Sequence, residues 1–159
     1  MGMKAATIHE IKAELTTLKP AQLTALCLRL SRFRKENKEL LTYLLFEAHN
    51  EGDYVAGIKK EIDELFADIN LSHLYFAKKS LRKIVRIINK YSRYSGSRQT
   101  EIELRIYFCE VLKESGIPIG KNAVISNLYQ SQIKKIRTLL STLHEDLQYD
   151  YRAQLEQLE

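Results

Sequence analysis

Leu74-Tyr-Phe-Ala-Lys-Lys-Ser-Leu-Arg-Lys-Ile-Val-Arg-Ile-Ile-Asn-Lys-Tyr-Ser-Arg-Tyr94 carries a helical period from end to end. Leu74, Ala77, Leu81, Ile84, Val85, Ile88 and Tyr91 recur at steps of three and four. That spacing puts apolar groups on one side of an α-helix and of no strand. With Leu81 at 0° on a helical wheel, the apolar set lies within about 80° either side. Lys79, Arg82, Lys83, Arg86, Lys90 and Arg93 lie between about 100° and 200°, on the opposite side. Tyr75 and Tyr94 project near that basic arc. From Lys79 to Arg93 the arc covers about 21 Å of helix axis.

The same period runs through the neighbouring segments. Thr7-x-x-Glu10 reads as a capping box opening a helix that reaches about Leu18. Pro20 starts the next, where its missing N–H costs nothing, and Leu23, Leu26, Cys27, Leu30 and Phe33 form its stripe. Leu40, Leu41, Leu44, Leu45 and Ala48 form a third, which Gly52 is expected to end. The Lys35–Lys38 stretch between them reads equally as a corner or as continuous helix. Val55, Ile58, Ile62, Leu65, Phe66 and Ile69 mark a fourth helix, closed by Asn70. Ser72 then caps a fifth over 72–94. Ser95-Gly96-Ser97 is the clearest break in the chain. A sixth helix runs to about Ser115, ended by Gly116 and Pro118, with 117–121 a loop. Residues 122–159 read as one long helix whose seam is Tyr129, Ile133, Ile136, Leu140, Leu143 and Leu147. No segment makes a convincing strand. The fold class is therefore all-α, six to eight helices in a bundle or a short array of helical hairpins. A shared apolar–Tyr–aromatic–Glu pattern in 40–47 and 104–110 is either a repeat of the hairpin kind or a coincidence of two amphipathic helices.

The chain has 159 residues and a net charge of +5. Its length suits one domain over 1–159, with 95–98 the place for any subdivision. Met1-Gly2 reads as an appended pair ahead of a start at Met3. Met1 to Glu10 does not read as a secretory leader, and no run of about 18 apolar residues spans a membrane. The cytoplasm is the expected location, with no membrane association. Cys27 and Cys109 read as small buried hydrophobes.

Two stretches, Leu18-Lys-Pro-Ala-Gln-Leu-Thr-Ala-Leu-Cys-Leu-Arg-Leu30 and Leu81-Arg-Lys-Ile-Val-Arg-Ile-Ile-Asn-Lys90, resemble small helical bacterial proteins classed only as a domain of unknown function. The resemblance implies an all-α bacterial protein and implies no activity.

Enzyme motifs are missing. There is no phosphate-cradling glycine pattern, no His-Glu-x-x-His, no Cys-x-x-Cys and no Gly-x-Ser-x-Gly. His9, His49, His73 and His144 are dispersed; His49, Glu51 and Asp53 share a corner but read as ordinary polar residues. No catalytic residue, metal, cofactor or small-molecule ligand is expected.

Charge is the concentrated signal. Residues 69–100 hold eight basic and no acidic residues, whereas 1–68 have net charge −1 and 101–159 have −2. Like charges at 79/83, 82/86 and 86/90 each cost roughly 0.2–0.5 kcal/mol. Three things relieve them: solvent and salt, acids of the preceding helix (Glu61, Glu64, Asp68), or an external polyanion. In 122–159, Lys134, Lys135 and Arg137 come first and Glu145, Asp146, Asp150, Glu156 and Glu159 follow. An antiparallel partner would bring these opposite charges together, and a homodimer through Ile133, Ile136, Leu140, Leu143 and Leu147 is one way to supply it. The reading that follows is a non-enzymatic helical module. It binds a protein partner or itself through that seam; alternatively it binds nucleic acid or another polyanion through Tyr75, Lys79, Arg82, Lys83, Arg86, Lys90, Arg93 and Tyr94.

Overall fold

A computed structural model describes residues 2–159. Eight α-helices and one π-turn account for its regular structure, and no strand occurs among the described residues. The all-α expectation is met. The division of the chain is not where the sequence suggested: residues 1–45 form one compact unit and 46–159 a second.

The first unit holds α1 (Ile8–Leu15), α2 (Pro20–Phe33) and α3 (Lys35–Thr42). The Thr7–Glu10 capping box forms: Glu10 N–H donates to Thr7 Oγ1 at 3.2 Å and Thr7 N–H to Glu10 Oε2 at 2.7 Å. The Thr7 N–H and hydroxyl both donate to the Glu10 carboxylate and hold its pKa down. Arg34 settles the open question between α2 and α3. Its extended backbone (φ −142°, ψ 146°) breaks the helix into a corner, which Asn37 Nδ2 braces by donating to Leu30 O at 2.8 Å. The third helix does not run on to Gly52 but widens into a π-turn at Tyr43–Glu47. Gly52 instead lies in the first turn of the next helix, whose N-cap Asn50 accepts from Asp53 N–H at 3.1 Å.

The second unit holds α4 (Glu51–Ala67), α5 (Leu74–Ser95), α6 (Arg98–Glu114), α7 (Ala123–Leu140) and α8 (Glu145–Leu158). Helix α6 is the centre and touches the other four. Ile102, Leu104, Phe108, Cys109 and Leu112 on it are fully buried. Around them stand Ile62 of α4, Leu81, Ile84 and Ile88 of α5, and Ile125, Ile133 and Ile136 of α7. The Ser95–Ser97 break is a tight turn inside this unit. Gly96 adopts φ +69°, a left-handed conformation glycine takes without a Cβ penalty, and Ser97 Oγ then caps α6 by accepting from Thr100 N–H at 3.2 Å. Ser72 does not cap α5; it turns back to Asn70, its hydroxyl donating to Oδ1 at 2.5 Å, and α5 begins two residues later. The likeness of 40–47 to 104–110 is not a structural repeat. The first stretch is a helix end with a π-turn and the second is continuous α-helix in the core.

The long C-terminal helix is two helices. Ser141 and Thr142 hydroxyls donate back to the carbonyls of Thr138 and Leu139 at 2.7 and 2.6 Å, and His144 caps α8, its Nδ1 accepting from Asp146 N–H at 3.3 Å. Glu145 and Asp146 therefore stand in a first turn, where the helix dipole favours acids. One cation of that charge order finds an acid within the chain, at the end of α8. Arg137 Nη2 meets Glu159 Oε1 at 2.5 Å, and Tyr129 donates its hydroxyl to Leu158 O at 2.5 Å. Ile133, Ile136 and Leu140 of the expected self-association seam are buried in the core, and Leu143 and Leu147 are half-buried at and beyond the corner. They are not a free surface for a second copy. Leu140→Ala is accordingly expected to cost about 3 kcal/mol in urea-induced unfolding with no change in molar mass by light scattering.

Candidate nucleic-acid interface

Helix α5 is anchored by its apolar side. Ala77, Leu81, Ile84, Val85 and Ile88 are buried, which turns the opposite arc outward. Lys79, Arg82, Lys83, Arg86 and Arg93 are exposed, and Lys90 is half-exposed with its ammonium 5.0 Å from the Tyr91 ring centre. Among the described residues, no carboxylate forms an ion pair with Lys79, Arg82, Lys83, Arg86 or Arg93.

Among the described residues, the acids of α4 form no ion pair with Lys79, Arg82, Lys83, Arg86 or Arg93. Glu61 accepts from the Tyr91 hydroxyl at 2.8 Å, on the near side of α5. Glu64 and Asp68 are exposed and form no ion pair with Lys79, Arg82, Lys83, Arg86 or Arg93. Asp63 accepts from the Tyr107 hydroxyl at 2.6 Å. The physical reason is the contact that joins the two helices. Tyr54 and Glu61 of α4 meet Tyr91 on the apolar side of α5, which leaves the basic arc about half a turn away from that contact. Other acids collect elsewhere, in a cleft of about 320 Å³ lined by Glu103, Glu110 and Asp150 beneath Lys59. There the Tyr151 hydroxyl donates to Glu103 at 3.0 Å, and burial, with Glu103 and Asp150 nearby, pushes Tyr151 up to about 12.

The two tyrosines of the candidate set part company. Tyr75 is 71% exposed, at the beginning of α5. Tyr94 is half-buried, its ring 6.3 Å from that of Tyr91. Aromatic residues absent from the sequence reading join Tyr75 instead. Phe76 is 51% exposed with its ring 5.4 Å from Tyr75, and the exposed His73 ring is 5.8 Å from Phe76. The signal was available. On the same wheel Tyr75 falls at about 120°, within the basic arc, and Phe76 at about 220°, at its edge.

Behind the arc the bundle is locked by a buried arginine. Arg105 of α6 is 4% exposed. Its Nη2 donates to Glu101 at 2.6 Å and to Asn89 of α5 at 2.8 Å, and its Nη1 donates to Gln132 of α7 at 2.7 Å. One guanidinium thus ties three helices, with every bond charge-assisted. Beside it, Lys134 and Lys135 line a cleft of about 460 Å³ with Glu101 and Arg105. Burial, followed by the Arg105 charge, holds the Lys135 ammonium below its ordinary range.

The corner at His49, Glu51 and Asp53 is structural. Glu51 accepts from the hydroxyls of Ser95 and Thr100, and Asp53 accepts from Asn50. No group of three or more His, Cys, Asp or Glu is placed to hold a metal ion among the described residues. No helix is long and apolar enough to cross a membrane. Compared with family models, curated proteins and solved structures, the chain matches none.

Proposed function

We propose that this protein binds single-stranded nucleic acid along the outer arc of α5. The observation that carries the reading is the row of five exposed cations, Lys79, Arg82, Lys83, Arg86 and Arg93, for which the fold provides no acid. A phosphate backbone relieves their mutual repulsion and releases its counterions on contact. Tyr75 and Phe76 stand at one end of the row with their faces open to solvent, and base–aromatic stacking suits unpaired bases. A duplex hides those faces, so the aromatic pair argues for a single strand.

Neutralising about five phosphates on a single strand gives a slope of log K against log salt of about −3.5. Affinity for a labelled oligonucleotide is therefore expected to fall about 100-fold between 50 and 200 mM salt in fluorescence anisotropy. The single strand should bind more tightly than its duplex. Binding indifferent to salt, or none at low salt, would reject the proposal.

A further inference from the structure

The cleft between α6 and α7 holds charge and donors that the fold leaves unanswered. Ser131, Lys134, Lys135 and Thr138 fall within about 100° on the α7 wheel, opposite the buried Ile133, Ile136 and Leu140. With Glu101 and Arg105 of α6 they line a space of about 460 Å³, a size usual for ligand pockets. The Glu101 carboxylate is committed to Arg105, its Oε2 accepting from Nε at 2.9 Å and from Nη2 at 2.6 Å. Lys134 and Lys135 are left over, and among the described residues neither forms an ion pair with a carboxylate. Burial and then the Arg105 charge disfavour the Lys135 ammonium, an effect that an anion in the cleft opposes. A guanidinium has five N–H groups. Arg105 uses four: Nε and one on Nη2 for Glu101, the other on Nη2 for Asn89, and one on Nη1 for Gln132. The second Nη1 N–H has no acceptor among the described residues, although the side chain is enclosed and borders the cleft. The Ser131 hydroxyl has no partner there either.

We propose that this cleft is a site for a phosphate monoester, whose charge the Lys134 and Lys135 ammoniums meet and whose oxygens accept from Arg105 Nη1 and the Ser131 hydroxyl. Such a group carries about −1.5 to −2 at pH 7 and offers three strong acceptor oxygens, which matches two spare cations and two spare donors. It comes either from the end of a nucleic-acid strand or from a small phosphorylated molecule. Asn89, which Arg105 reaches from α6, falls at about 80° on the α5 wheel, next to Arg82 at about 100° and Arg93 at about 120°. The cleft therefore adjoins the edge of the cation row, where a strand lying on α5 can seat its terminal phosphate. That source rests on the reading of α5 given above; the site itself does not.

Titration of the full-length chain with inorganic phosphate at constant ionic strength, followed by amide and arginine side-chain chemical shifts, tests the site. Saturable shifts are expected along 131–138 and at Arg105. Lys134→Gln with Lys135→Gln should abolish them with unchanged helical content, because both side chains are exposed. Arg82→Glu with Arg86→Glu should keep them, since neither residue lines the cleft. Anisotropy then reads the source. A terminal phosphate on the oligonucleotide should tighten binding to wild type by about tenfold, the scale of one charge-assisted hydrogen bond, and should not tighten binding to the double lysine variant. Saturable phosphate shifts with a terminal-phosphate effect below about twofold assign the site to a small phosphorylated molecule instead. A wild-type chain without saturable shifts overturns the proposal, and shifts that persist in the lysine variant overturn its placement in this cleft. An oligonucleotide that fails to bind while the phosphate shifts remain removes the reading of α5 and supports this one.

Discussion

Arg82→Glu combined with Arg86→Glu is expected to weaken oligonucleotide binding several hundred-fold at 100 mM salt. The reversal leaves three exposed unpaired cations and adds two anions among them, so the effective number of neutralised phosphates drops from about five to about one. The salt slope should flatten from about −3.5 to about −0.7, and the lost affinity is the difference between those slopes carried from 1 M down to 0.1 M. The fold should not suffer. Both side chains are exposed, and the reversal exchanges the like-charge pair 86/90 for an attractive one. Anisotropy titrations of wild type and variant, with circular dichroism melts of each, give the answer. A change of threefold or less would dissociate the arc from binding. Tyr75→Ala with Phe76→Ala should be milder, about 1–3 kcal/mol per stacked base, and should act on single strands alone.

Arg105→Ala is expected to be the most damaging single change to stability, at about 3–5 kcal/mol. The guanidinium is almost wholly enclosed and donates to Glu101, Asn89 and Gln132. Its removal leaves the Gln132 carbonyl, on a residue 1% exposed, without that donor and opens a void between α5, α6 and α7. The midpoint of urea unfolding should fall with an unchanged slope, and thermal melting should drop by about 15 °C, at roughly 4–5 °C per kcal/mol for a unit of this size. Arg105→Lys should recover little, since an ammonium cannot reproduce a fork that reaches three partners on three helices. A variant as stable as wild type would mean that the network is not what holds α5 against α7.

Particular residues show how much of this could be read in the sequence. The buried side of α5 follows from spacing alone: Ala77, Leu81, Ile84, Val85 and Ile88 were named by period and are in the core. So were the Thr7–Glu10 cap and the Gly96 turn, because local hydrogen-bond geometry needs only neighbours in the chain. The C-terminal seam misled for a definable reason. A heptad of four-and-three steps is the same whether its partner is another molecule or the next helix, and the Ser141–His144 corner offers no Gly or Pro to mark it. Of the ordered charges, Arg137 pairs with Glu159 of the chain's own last helix. Cys27 was expected to be buried and is exposed, because the amphipathic face that holds it is uncovered. Arg105 gave no signal at all. An arginine on a helical pattern looks like a surface residue until its three partners, from three different helices, converge.

The sequence by itself determined that the chain is helical, which side of α5 is apolar, and that six cations share one arc, since all three depend on periodicity along a single element. Tertiary structure decided whether that arc is covered and whether the C-terminal stripe is free. The outcomes are opposite. Burying the apolar side of α5 against α4 and α6 carries its cations away from Glu61, Glu64 and Asp68, while folding at Ser141–His144 spends the stripe on the core. Which faces meet is fixed by the corners between helices, through contacts between residues distant in the chain, and the periodicity of one helix carries no record of them.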